Sequence, residues 1–194
     1  MTLAQQEPDI TSGHKAETTK KIIASHLEKT DTIRIGNDLD LMPDIVNEIL
    51  VPIMPICSPD DIRALKISLL EIITNAIEHG NLSIGYTNKT ILYGEKLDEL
   101  IKKRQSKEPF KSRKVTIKCR VNADNVTYII TDQGDGFDWR NLLNPTKEEN
   151  ALMPHGRGIF MARSYMDMLS FNKKGNRVTM MKICNYSATK AQRH

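Results

Sequence analysis

Apolar and polar residues alternate across "DTIRIGND", Asp31 to Asp38, and a period of two predicts a short strand. The spacing then turns helical. Leu41–Ile53 carries Ile45, Ile49 and Val51 on its inward side, with Asp38 or Asp40 placed to cap it and Pro52 and Pro55 to end it. The strongest helical signal is "SPDDIRALKISLLEIITNAIEHGN". Ser58 is an N-cap, Pro59 sits at the first helical position, Asp60 and Asp61 face the positive end of the dipole, and Gly80 serves as a C-cap. Residues 82–112 read as an insert whose middle, "ILYGEKLDELIKKRQSKE", is a helix with Tyr93, Leu97, Leu100 and Ile101 as its apolar stripe. A hairpin follows: Val115, Ile117, Cys119 and Val121 alternate, "NADN" turns, and Val126, Tyr128 and Ile130 alternate again. After a Gly-rich turn at Asp132–Asp138 and a polar stretch, "HGRGIFMARSYMDML" is a helix opened by glycines. "SFNKKGNRVTMMKI" is a second hairpin, turning at Lys174–Asn176.

The strands are joined mainly by hairpins rather than by crossover helices. That order predicts an α+β fold: a two-layer α/β sandwich with a mixed, mostly antiparallel sheet and helices on one face. A chain of 194 residues suits one such domain. Its apolar content of 39% is too high for wholesale disorder. Residues 1–29 are polar and weakly periodic and read as a flexible tail, and residues 186–194 read as a second one. His14 and His26 lie in the first tail, without the long dimerising helix that a phospho-accepting histidine needs. The net charge of +4 is carried by dispersed basic residues without interleaved aromatics, which points away from nucleic acid. No apolar run approaches a membrane span, and the first residues lack a signal-peptide core. Cys57, Cys119 and Cys184 show no metal-ligand spacing and read as reduced, buried thiols of a cytoplasmic protein.

Chemistry enters with the long helix. At about 100° per residue, Ile62, Leu65, Leu69, Ile72, Ile73 and Ala76 share one face. Glu71, Asn75 and Glu78 fall on the opposite face at i, i+4 and i+7, with His79 beside them. Such a polar face is ordinarily just solvated, and two further strings decide otherwise. In "TDQGDGFDW", Asp132 follows an apolar strand that should be central. A carboxylate there can accept a hydrogen bond from an exocyclic amine, while Gly134 and Gly136 let backbone approach a flat ring or a phosphate. In "HGRGIF", Gly156 and Gly158 flank Arg157 at a helix start, where free N–H groups, the dipole and a guanidinium suit an anion. Either string alone is common.

Taken in this order, the three resemble the nucleotide-binding ATPase superfamily of gyrase, histidine kinases and mismatch-repair proteins. The nearest compact form is the anti-sigma factor serine kinase family. The resemblance covers roughly residues 31–184. It implies a Bergerat-type ATP-binding fold over residues 30–185, with 82–112 as a helical insert and 138–155 as the ATP lid. It implies ATP and magnesium as cofactors, with Asn75 as the magnesium ligand and Glu71 as the general base toward an incoming serine hydroxyl. Asp132 would read adenine beside Gly134 and Gly136, and Gly156, Arg157 and Gly158 would form the phosphate end. Glu78 either helps hold the metal's waters or faces solvent, with solvent favoured; His79 takes a packing or capping role. The implied activity is transfer of the γ-phosphate to a Ser or Thr of an anti-sigma-antagonist-like regulator, together with sequestration of a sigma factor or similar target and formation of a homodimer. Leu41–Ile53 and the insert are candidate partner surfaces. Two alternatives stay open: a non-catalytic nucleotide-binding interaction module, and a catalytic domain related to a sensor histidine kinase.

Overall fold

The structure, a computed structural model, describes residues 31–85, 88, 91–92, 94–122, 124–141 and 157–184. Among these residues five strands form one sheet: β1 (Asp31–Ile35), β2 (Val115–Val121), β3 (Asn125–Thr131), β4 (Met168–Phe171) and β5 (Arg177–Ile183), in the order β1-β2-β3-β5-β4. Every pairing is antiparallel, so the sheet is not the mixed one expected. The helices are α1 (Met42–Leu50), α2 (Pro59–Asn75), α3 (Glu95–Gln105) and α4 (Arg157–Tyr165). The α+β sandwich predicted from the element order is the one observed, and β3, which delivers Asp132, is the middle strand.

One core lies between the layers. Leu65, Leu69, Ile72 and Ile73 of α2 and Val46 and Leu50 of α1 are buried in the same cluster as Val115, Ile117, Val126, Tyr128, Ile130, Val178 and Met180, the alternate positions of the strands. Each such aliphatic burial stabilises by roughly 1.5–3 kcal/mol. Tyr128 is completely buried, and its hydroxyl donates to the Ile49 carbonyl at 3.0 Å, which ties the middle strand to the end of α1.

Local rules explain the start of α2. The Ser58 hydroxyl accepts from the Asp61 N–H at 3.1 Å and donates to the Asp61 carboxylate at 2.6 Å, a reciprocal cap with Pro59 in the first turn. The far end departs from expectation. The α-helix stops at Asn75 and a π-helical turn over Ala76–Asn81 replaces its last turn, sealed by Leu82 N–H to the Ile77 carbonyl at 2.7 Å. Gly80 therefore lies inside a turn and does not cap the helix. Glu78 lies within this turn and is only 8% exposed, not solvated as expected.

Smaller corrections follow the same logic. Neither Asp38 nor Asp40 caps α1; the Asp38 carboxylate accepts instead from the Asp40 N–H, and α1 begins without a side-chain cap. Val51 is exposed, because the chain tightens into a 3-10 turn at Val51–Ile53. The helix of the insert ends at Gln105, and α4 ends at Tyr165, so that Met168 and Leu169 join β4. Cys57 and Cys184 are not separate thiols. They form a disulfide across 127 residues, linking the turn before α2 to the residue after β5. Cys119 alone is free, half-buried beside Tyr128, and burial pushes its thiol up to about 11. The tails and most of the expected lid (142–155) lie outside the described residues.

Candidate functional site

Beneath the end of α2 lies a cavity of about 330 Å³, within the roughly 300–1,000 Å³ range of small-molecule sites. Its wall is built from four places in the chain. Ile72, Asn75, Ala76, His79 and Gly80 come from α2 and its π-turn, and Ile130, Asp132, Gly136 and Phe137 from the end of β3 and the turn after it. Ile159 comes from α4, and Phe171, Gly175, Asn176 and Val178 from the β4–β5 hairpin. The lining is mostly apolar with a few polar groups, the usual make-up of a site for a flat, partly polar ligand.

Asp132 is the deepest acid of this wall. Burial pushes its carboxyl up to about 6; the Gly134 N–H, then Lys174, then Arg113 work in the other direction. The Gly134 N–H donates to Asp132 Oδ1 at 2.8 Å, and Lys174 Nζ donates to the Gly134 carbonyl at 2.8 Å. Asn176 Nδ2 donates to the Asp132 carbonyl at 3.1 Å, closing the β4–β5 turn onto the end of β3. The π-turn reaches the same place: a Cβ on Gly80 would overlap the Asp132 carboxyl, and a Cβ on Gly134 would overlap the Gly80 carbonyl. Gly80 and Gly134 are thus required by close approach, and Gly136 by its positive φ of 80°.

At the other end of the cavity, Asn75 Nδ2 donates to Glu71 Oε1 at 2.8 Å, the i, i+4 pair expected from one helical face. With its N–H₂ turned to Glu71, Asn75 keeps its amide oxygen as the available acceptor. Gly158, in the first turn of α4, sits against Glu71 so closely that a Cβ there would overlap the carboxylate. Glu71 and Gly158 lie beside the cavity rather than in its wall, and Gly134 likewise sits behind Asp132. Arg157 begins α4 and is exposed, whereas Gly156 falls outside the described residues. The structure therefore brings together Glu71, Asn75 and Gly158 at one end and Asp132, Gly134 and Gly136 at the other.

Several lining residues were not singled out from sequence. Phe137 and Phe171 pack edge to face at 5.3 Å, and Trp139 stacks on Phe171 at 6.1 Å, giving the cavity an aromatic flank. The position of Phe137 directly after "GDG" was the available hint; Phe171 gave none. Asn176 sat unnoticed in "KKGN", read only as a turn. His79 was expected to pack or cap. It lines the cavity, and its Nδ1 lies 2.5 Å from the Ile84 carbonyl, which holds the exit of the π-turn.

Comparison with known proteins agrees with this geometry. The family model described as the histidine kinase-like ATPase domain matches residues 48–182, well over half the chain. Similar proteins include the serine-protein kinase RsbW of Staphylococcus aureus strains JH9, Newman and JH1, each 29% identical over 133 residues. Those stretches cover 63% of this chain and 66% of each relative, so the chain spans just under two thirds of their length.

Proposed function

Because the chain belongs to the histidine kinase-like ATPase domain family, we propose that it binds ATP with magnesium and transfers the γ-phosphate to a serine or threonine of a protein partner. The observation that carries this reading is the convergence of Asn75, Asp132 and Gly136 on one cavity, with Glu71 and the start of α4 abutting its Asn75 end. Asp132 would accept from the exocyclic amine of adenine, while Phe137, Ile72 and Ile130 cover the ring. The nucleotide-binding unit is then residues 30–185, with 138–155 as the lid and 82–112 as an insert; the family match runs over 48–182 of that unit.

The donors present suit magnesium. Asn75 offers one neutral oxygen, and among the described residues no group of three or more His, Cys, Asp or Glu forms a closed cage. Magnesium favours one or two protein oxygens plus waters and nucleotide phosphates. Bound through Asn75, it would neutralise phosphate charge. Glu71 is the base. It takes the proton of the acceptor hydroxyl as that oxygen bonds to the γ-phosphorus and the bond to the β-phosphate bridge breaks, releasing ADP. Gly156, Arg157 and Gly158 would receive the phosphate end, where the α4 dipole favours anions.

The relatives named as serine-protein kinases support the choice of acceptor. Within that reading, the partner is an anti-sigma-antagonist-like regulator, the sequestered target is a sigma factor or similar protein, the assembly is a homodimer, and the protein works in the cytoplasm. Among the described residues no helix is long and apolar enough to cross a membrane. The test is radiolabelled transfer from ATP to a Ser-bearing partner by wild type and Glu71→Gln. We expect the variant to bind ATP within about threefold of wild type and to lose transfer by roughly 10²-fold or more. Wild type that binds ATP yet never transfers would leave a sequestering module; transfer onto histidine would point to the sensor-kinase alternative.

A further inference from the structure

One buried amide joins the insert to the floor of the cavity. Asn81 closes the π-turn and is fully buried. Its side-chain oxygen accepts from the Gln133 N–H at 2.9 Å, and Gln133 is the residue between Asp132 and Gly134. Its Nδ2 donates to Asn37 Oδ1 at 2.8 Å, and its own carbonyl accepts from Arg113 at 2.9 Å. Asn37, also buried, is held in turn by the insert and the residue that follows it: its Nδ2 donates to the carbonyls of Phe110 at 2.8 Å and Arg113 at 3.1 Å, and its carbonyl accepts from Gln105 at 2.6 Å. Arg104 donates to the Leu82 and Ser83 carbonyls at 2.5 and 2.6 Å, and the Phe110 ring lies between the Arg104 and Arg113 guanidiniums, each 5.2 Å from its centroid. The Gln133 side chain completes the loop by accepting from the Lys114 N–H at 2.6 Å.

The carbonyl and both side-chain polar atoms of Asn81 thus have partners, and each partner lies on a different segment. Buried amide networks of this kind fix one arrangement, because any shift leaves several desolvated groups unpaired. We propose that Asn81 is a positioning residue that sets the Asp132 turn, and hence the grip on the base, from the docked insert. The inference rests on the nucleotide-binding reading above. It assigns the insert a task in base recognition; among the described residues none of these hydrogen bonds runs to Glu71, Asn75 or Gly158 at the phosphate end.

That division supplies the test. Adenosine probes the base end alone and inorganic tripolyphosphate the phosphate end alone. With Asn81→Ala in the full chain, folded by circular dichroism, calorimetric titration should show adenosine binding weakened by about tenfold or more and tripolyphosphate binding within about twofold of wild type. If Asn81→Ala does not fold, Asn37→Ala, which removes only the far anchor, should show a smaller loss confined to adenosine. Equal weakening of both probes, or unchanged adenosine affinity in a folded variant, would overturn the assignment. Wild type that binds neither ATP nor adenosine nor tripolyphosphate would instead overturn the nucleotide reading itself.

Discussion

Replacing Asp132 with Asn should make the ligand-free protein more stable at neutral pH while loosening its hold on adenine. The reason lies in the cavity wall. Desolvation outweighs the Gly134 N–H and the Lys174 and Arg113 charges, and raises the Asp132 carboxyl from 3.8 to about 6. Below 3.8 the group is protonated in folded and unfolded chains alike, and it costs nothing. Between 3.8 and about 6 the unfolded chain releases its proton while the folded chain keeps it, so the contribution of this group to stability falls as pH rises. Above about 6 both are ionised and the full penalty applies. Two pH units correspond to about 3 kcal/mol, and solvent entering the open side of the cavity reduces this to on the order of 1–2 kcal/mol. The Asn side chain removes the charge yet still accepts from the Gly134 N–H. Urea denaturation of both proteins at steps from about pH 4 to about pH 8 should therefore give curves that coincide at the acid end and separate by about 1–2 kcal/mol in favour of Asn above pH 6. The difference between the two curves follows the charge on Asp132. A variant less stable than wild type at the alkaline end, or a difference that ignores pH, would refute the reasoning. At the same pH the variant should bind ATP at least tenfold more weakly, the usual exchange between stability and a functional buried charge.

Gly80→Ala drives a methyl group into the Asp132 carboxyl; overpacking of this kind costs about 1–3 kcal/mol, and calorimetric titration should find ATP binding weakened alongside the lower urea midpoint. Replacing Cys57 and Cys184 together by Ser opens a covalent loop spanning 127 residues. The chain-entropy relation puts the loss near 4–5 kcal/mol, read as a lower urea midpoint under oxidising conditions and a much smaller difference once wild type is reduced, when only the exchange of two buried thiols for hydroxyls remains.

The sequence made α2 legible because its cap and its apolar stripe are local. Ser58, Pro59 and the i, i+3, i+4 spacing from Ile62 to Ile73 need no distant partner to be read. Its last turn was illegible for the opposite reason. The π-turn is held by the Asp132 turn against Gly80 and by Gln133 against Asn81, contacts made more than 50 residues away in the chain. A regular helix projected through Ala76–Asn81 therefore placed Glu78 in solvent when it is buried. The disulfide escaped notice because Cys57 and Cys184 carry no spacing signal at 127 residues apart. Arg104 and Arg113 carry no local signal of their role; they donate to the carbonyls of Asn81, Leu82 and Ser83. Asp132 and Asn75 were recognisable because their residue types and neighbours carry chemistry in one short string each. The aromatic flank of Phe137 and Phe171 depends on how β4 meets the turn after β3, which no local string encodes.

The central claim is that α2, the β3 turn and the β4–β5 hairpin close around ATP with Asn75 toward its cation. Calorimetric titration of ATP into wild type and Asn75→Ala, each with magnesium and with a chelator, tests it most directly. Wild type should show one site per chain, at least tenfold tighter with magnesium, and the variant little magnesium dependence. Wild type that takes up no ATP in either condition, or a variant that keeps the whole magnesium effect, would contradict it.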